Sequence, residues 1–188
     1  MTNTSLRIRK LLLTALFAAL TALGAFLRVP VPVLHSSFTL QVFFTCMAGV
    51  LLGPYWGAAS QLLYVLLGLL GIPIFTEGGG MTYLFKPTFG FLLGLIPAAF
   101  LTGLLTAHLK RLPLFGRIAL GCLAGLVALY AIGLPYMYWM LGGALSFGQT
   151  VVSGCLIFLP FDALKIICVT LLGMKLLPLL NRQKDLSS

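Results

Sequence analysis

Acidic side chains are almost missing from this chain: its 188 residues include three, against twelve lysines and arginines. Glu77, Asp162 and Asp185 lie far apart in sequence, so the paired carboxylates of acid–base hydrolysis are not supplied. Charged residues of both signs reach only 8%, where a soluble domain carries about 25%. With a mean hydropathy of +1.10, a water-soluble globule is excluded. His35 and His108 show no metal-binding spacing. Cys46, Cys122, Cys155 and Cys168 form no CxxC pair or Cys/His cluster, so they read as small buried residues and no metal is expected. A Gly-Lys-Ser/Thr phosphate loop is lacking, which excludes ATP-driven work by this chain alone. There is also no GxSxG nucleophile and no Ser/His couple.

What the chain does have is long apolar runs. Six spans are predicted, at about 11–28, 38–53, 55–72, 88–109, 117–140 and 149–177. The fold class is therefore all-α, an integral membrane bundle of six transmembrane helices forming one domain over 1–188. The second and third spans are short for a bilayer, which needs about 20 residues, and Gly53-Pro54 predicts a tight hairpin between them. Pro97, Pro135 and Pro160 fall inside later spans, where neighbouring helices or a cavity must satisfy the freed backbone groups. Without a clear cleavage site, the first run reads as a retained helix rather than a signal peptide.

Orientation follows from the basic residues. Arg7, Arg9, Lys10, Lys110, Arg111, Arg117, Lys175, Arg182 and Lys184 fall on one side, and only Arg28 and Lys86 on the other. Both termini are thus expected to be cytoplasmic, and the basic clusters to be topology signals and headgroup contacts rather than a nucleic-acid surface. Two outer loops stand out. Arg28–Ser37 is extended and stiffened by Pro30 and Pro32. The loop from Gly71 to Thr88 mixes aromatic and polar residues around Gly78, Gly79 and Gly80. It is expected to fold back over a cavity, with the glycines letting backbone approach a ligand.

Asp162 and Lys165 carry the strongest functional signal. Three-residue spacing puts both on one helical face inside the last span. An ion in hydrocarbon costs roughly 2.5–3.5 kcal/mol on insertion scales, so such groups face a protein interior or a wet cavity. A pair of opposite sign offsets part of that cost and offers a donor and an acceptor to a polar solute. Pro160 predicts irregular backbone beside them. Gln41 could make an interhelical bond or a ligand contact. Ala15 and Ala19, like Ala18 and Ala22, form a small-residue strip suited to close helix approach. Tyr136, Tyr138 and Trp139 suit an interface belt or a stacking wall.

Several segments in order carry a family resemblance: Phe38-Thr-Leu-Gln41, Ala48-Gly-Val-Leu-Leu-Gly-Pro54, Gly68-Leu-Leu-Gly-Ile-Pro-Ile-Phe75, the glycine loop, Pro87-Thr88 and Leu159-Pro-Phe-Asp-Ala-Leu-Lys165. Together they resemble the BioY family, biotin-binding S-components of energy-coupling-factor (ECF) transporters, over about 11–177. The resemblance implies a site on the outer side in which Asp162 and Lys165 are polar ligand contacts and Gly78, Gly79 and Gly80 match the glycine-rich loop. Ala15 and Ala19 would match the surface that docks on a transmembrane coupling subunit, which in turn engages two ATPases. It further implies a prokaryotic plasma membrane, biotin as transported ligand and no prosthetic group. The usual Gly-Pro-Thr-Gly-Gly-Tyr is here Lys86-Pro-Thr-Phe-Gly-Phe91, and the glycine loop reads Thr76-Glu-Gly-Gly-Gly80. Glu77 or Thr76 could supply a hydrogen-bonding group there, and Lys86 an anion contact. Tyr83, Phe85, Phe91 and Tyr136 are candidate walls. Three alternatives stay open: an S-component for another vitamin or a lipoate-like acid, an intramembrane enzyme using Lys165 as base or Schiff-base nucleophile beside Asp162, and an assembly subunit with no ligand.

Overall fold

The computed structural model describes residues 3–31 and 36–185, with side chains over 7–28 and 38–180. Pro32 and His35 of the first outer loop, and the side chains of Arg182, Lys184 and Asp185, lie outside the described residues. Helix α1 (Asn3–Phe26) leads into a two-stranded antiparallel ribbon of β1 (Arg28–Val31) and β2 (Ser36–Thr39), paired with Arg28 opposite Thr39 and Val31 opposite Ser36. The 28–37 segment, expected to be extended, is so at its described ends, which pair with each other. Helices α2 (Gln41–Leu52) and α3 (Pro54–Leu69) follow, then a 3-10 turn (Met81–Phe85), α4 (Phe89–His108), α5 (Leu114–Met140), the short α6 (Phe147–Val151) and α7 (Leu159–Asp185).

Among the described residues, four segments are long and apolar enough to cross a membrane: Arg7–Phe26, Phe89–His108, Leu114–Met140 and Phe147–Leu180. Helix α2 has 12 residues, a rise of roughly 18 Å, and α3 has 16. The α2–α3 hairpin turns on Gly53, whose φ of 81° suits glycine, and Pro54 opens α3 at a position where no amide hydrogen is needed. Helices α4 and α5 share the largest contact, with α2 and α3 against α4 next.

The sixth span differs from the single helix expected. Ser146 opens α6 with a capping box: its hydroxyl accepts from the Gln149 amide at 3.3 Å, and Gln149 Oε1 accepts from the Ser146 amide at 2.8 Å. Five residues later the helix widens into a π segment, Val152–Leu156, and then turns before α7 restarts at Leu159. Pro160 is consequently the second residue of α7, where a missing amide hydrogen does no harm, and the irregular backbone expected beside the charges lies just before it, at 152–158. The restart leaves Asp162 in the first turn of α7, where the helix dipole favours a negative charge.

Buried polar side chains tie the first three helices together. Thr21 and Thr45 both donate to Gln61 Oε1, at 3.3 and 3.0 Å, and Gln61 Nε2 donates to the Ser60 hydroxyl at 3.0 Å. In hydrocarbon such groups must find partners within the bundle. Lys10 lies over the Trp56 ring at 5.8 Å, which sets the start of α1 beside the start of α3. Arg28, just past α1, donates to the Thr76 carbonyl. The 71–88 loop therefore caps the end of the bundle away from Lys10.

Candidate functional site

Because α2 is short, its first residues end within the bundle, at the floor of a cavity with about 720 Å³ of empty space counted out to its open mouth. Six elements converge on it. Thr39, Gln41 and Val42 come from the end of the ribbon and the start of α2. Thr76, Glu77, Tyr83 and Thr88 come from the 71–88 loop. Helix α4 adds Phe91, Leu92 and Leu95, α5 adds Leu129 and Tyr130, and the last span adds Gly154, Phe158, Asp162 and Lys165.

At the inner polar end, Lys165 Nζ donates to Asp162 Oδ1 at 2.9 Å, and the Tyr130 hydroxyl donates to Oδ2 at 2.5 Å. The side chains of Asp162 and Lys165 are 3% and 12% exposed. Two opposite ions with a hydroxyl donor are largely dry, yet they border the cavity instead of being sealed in hydrocarbon. Each carboxylate oxygen has two lone pairs, and an ammonium has three donors. After the contacts described, the pair still has acceptors and donors to offer. Phe91 meets Tyr130 edge-on at 6.1 Å, and Phe38 of β2 packs on Phe158 at 4.6 Å and Phe161 at 4.3 Å, so aromatic rings wall the void around that end.

Gln41 is 5% exposed, and its Nε2 donates to the Tyr64 hydroxyl at 2.9 Å. Tyr64 in turn donates to the Ile74 carbonyl at 3.0 Å. Gln41 thus lines the cavity and makes the interhelical bond weighed for it, bracing the loop above through Tyr64. Tyr83 is 2% exposed, and its hydroxyl bridges Thr76 at 2.9 Å and Thr88 at 3.5 Å. Phe75 stacks between Tyr83 at 4.7 Å and Tyr64 at 5.5 Å. The loop is a packed cover rather than a loose connector.

Of the residues singled out in the sequence, Asp162, Lys165, Thr76, Glu77, Tyr83, Thr88, Phe91 and Gln41 share this cavity. Others do not. Gly78 and Gly80 have φ of 109° and 96° and turn the loop. A Cβ at Gly79 would sit 2.2 Å from the Ile72 carbonyl oxygen. The three glycines shape the cover without lining the void. Tyr136 stands against Phe89 at 5.9 Å and donates to the Leu84 carbonyl, holding the loop from outside. Phe85 is 76% exposed and forms no wall. Lys86 pairs with Glu77 at 2.5 Å and borders an adjoining outer hollow with Glu77, Pro87, Thr88 and Leu141. Ala15 and Ala19 face outward on α1, whereas Ala18 and Ala22 are buried. Sequence reasoning missed Tyr130 altogether. The available signal was a tyrosine deep in an apolar span, whose hydroxyl requires a partner, with Asp162 the one carboxylate within the spans.

A model of the BioY family matches residues 1–182. The chain belongs to the BioY family. Its relatives include the protein named probable biotin transporter BioY of Lysinibacillus sphaericus, 44% identical over 128 residues, 68% of this chain and 64% of that relative's length. The biotin transporter BioY of Rhizobium etli is 36% identical over 88% of this chain and 91% of that one. The protein of the same name from Thermotoga maritima is 34% identical over 89% and 95%. Among solved structures, the S-component for biotin from an ECF-type ABC transporter superposes with a TM-score of 0.83 at 25% identity, covering 94% of each chain. This BioY-family chain is a multi-pass membrane protein with the S-component fold, and its family consists of transport proteins, not enzymes.

Proposed function

We propose that this chain is the substrate-specific component of an ECF-type vitamin uptake transporter and that it binds biotin in the cavity under the 71–88 loop. One observation carries the reading: the cavity of a BioY-family chain ends on the Asp162–Lys165 pair. A ureido group presents one carbonyl acceptor and two N–H donors, the complement of an ammonium beside a carboxylate. The fused rings and aliphatic chain suit walls of Phe91, Leu92, Leu95, Leu129 and Phe158. Polar groups fix orientation while apolar walls take up area, the usual division in a small-molecule site.

The 71–88 loop faces the outside in this proposal, because the basic clusters at 7–10 and 110–117 belong to the opposite end and such clusters stay cytoplasmic. Release then requires reorientation, driven by a coupling subunit with its pair of ATPases. Calorimetric titration of the purified protein checks the ligand. Biotin is expected to give saturable heat and to raise the unfolding temperature, and lipoate and other vitamins are expected to give neither. Silence with biotin and a response to another vitamin acid would move the assignment to that acid.

Ala15 and Ala19 are exposed on α1 beside Leu12, Leu16 and Leu23, forming a strip where another helix can approach closely. In the assembled transporter this strip is proposed to meet the coupling subunit. The double substitution Ala15→Leu, Ala19→Leu is expected to leave biotin binding by the isolated chain unchanged and to abolish co-purification with that subunit. Intact co-purification would remove the strip from the interface.

A further inference from the structure

The charges around the cavity do not suit an acid-ended ligand as they stand. Among the described lining residues the charged ones are Glu77, Asp162 and Lys165. Lys165 is already engaged by Asp162, and the remaining charge, Glu77, is negative. A carboxylate entering this pocket would meet an excess of its own sign and no unengaged cation.

The missing cation stands just outside. Glu77 and Thr88 line both the cavity and the adjoining hollow, so the two spaces share a wall, and Lys86 lines the hollow. Lys86 is held against Glu77 at 2.5 Å and over the face of Tyr83 at 5.3 Å. Tyr83 is a fixed platform, since its ring is buried and its hydroxyl meets Thr76 and Thr88. The ammonium therefore has a set position. Its partner does not hold it strongly: the Lys86 and Glu77 side chains are 38% and 44% exposed, and ion pairs that wet contribute little. One carboxylate can replace another there at small cost. Arg28, the other basic residue at this end, spends a guanidinium donor on the Thr76 carbonyl and borders neither space.

We infer that Lys86 is a specificity-determining residue for the acid end of the ligand, and that Glu77 occupies its place until the ligand's carboxylate displaces it. The inference rests on the biotin reading and adds a second anchor to it. The ureido end meets Asp162 and Lys165 at the floor, the carboxylate meets Lys86 at the mouth, and Glu77 swings into water. In the empty protein the Glu77–Lys86 contact keeps the mouth neutral.

Titration of the purified chain with biotin and with its uncharged methyl ester tests this. Lys86→Met is expected to weaken biotin by about five- to tenfold, the scale of one partly wet charge-assisted contact, and to leave the ester unchanged. Lys86→Arg should restore the preference for the acid. Glu77→Gln, which removes the competitor, should tighten biotin about two- to threefold relative to the ester, again the scale of a wet ion pair. Arg28→Gln should leave the acid-to-ester ratio alone. Wild-type protein that binds biotin, with a Lys86→Met ratio equal to the wild-type ratio, overturns the inference by itself. So does an equal loss of both ligands, which would make Lys86 a structural prop. Wild-type protein that binds neither compound sinks the biotin reading, and the inference with it.

Discussion

Asp162→Ala is expected to destabilise the protein by about 3–5 kcal/mol, the usual consequence of removing one partner from a buried ion pair. Asp162 is 2% exposed and receives both the Lys165 ammonium and the Tyr130 hydroxyl. Truncation leaves the ammonium without its counter-ion in a side chain only 12% exposed. It also orphans the hydroxyl, and it deletes a negative charge from the first turn of α7, where the helix dipole favours one. The second variant, Asp162→Ala with Lys165→Met, removes both charges at once. Replacing a whole buried pair by apolar groups is often neutral, so thermal unfolding in detergent should return most of the way to wild type. Ligand binding should not return. A double variant that regains both stability and biotin affinity would reduce the pair to scaffold.

That contrast shows why the site was partly legible in sequence. Two opposite charges stand out against an apolar background, and three-residue spacing brings them together whatever else the chain does. Tyr130 had no such contrast, because aromatic residues are ordinary in membrane spans. Its role depends on the offset between α5 and α7, which no local pattern encodes. The six apolar spans were likewise visible as hydrophobic runs, four of them of the length that hydrocarbon thickness demands. The π segment at Val152–Leu156 was not: those residues suit an ordinary helical turn, and the widening depends on how α6 and α7 meet the bundle.

The outer loops show the same divide. Three consecutive glycines at 78–80 signal unusual backbone, and positive φ at Gly78 and Gly80 bears that out. Whether such backbone serves a ligand or a turn is decided by distant packing. Here Gly80 donates to the Gly68 carbonyl at 2.7 Å, and the loop is tied down on α3. Glu77 and Lys86 lie nine residues apart in that loop, and only its folded path makes them partners.

Gly103→Val should be among the most damaging single substitutions away from the cavity. A Cβ at Gly103 would lie 2.6 Å from both the Gly53 carbonyl carbon and the Pro54 nitrogen. One at Gly49 would lie 2.5 Å from the Ala99 carbonyl oxygen, and one at Gly57 2.9 Å from Gly49 Cα. Helices α2, α3 and α4 therefore meet backbone to backbone along a seam of glycines. No flexible side chain in that seam can swing aside. In lipid, where water supplies no driving force between helices, such close packing is a main source of cohesion. Overpacking costs about 1–3 kcal/mol and occasionally more, and the rigid neighbours put Gly103→Val at the top of that range or beyond it. The loss should appear in thermal unfolding and in biotin binding together, because α2 carries Gln41 at the cavity floor. Gly116→Ala gives the opposite sign. A Cβ there meets nothing nearer than 3.8 Å, and alanine in an open helical position stabilises by roughly 0.4–1 kcal/mol. Glycines that respond alike at the two positions would show that the seam is not what holds the short helices in place.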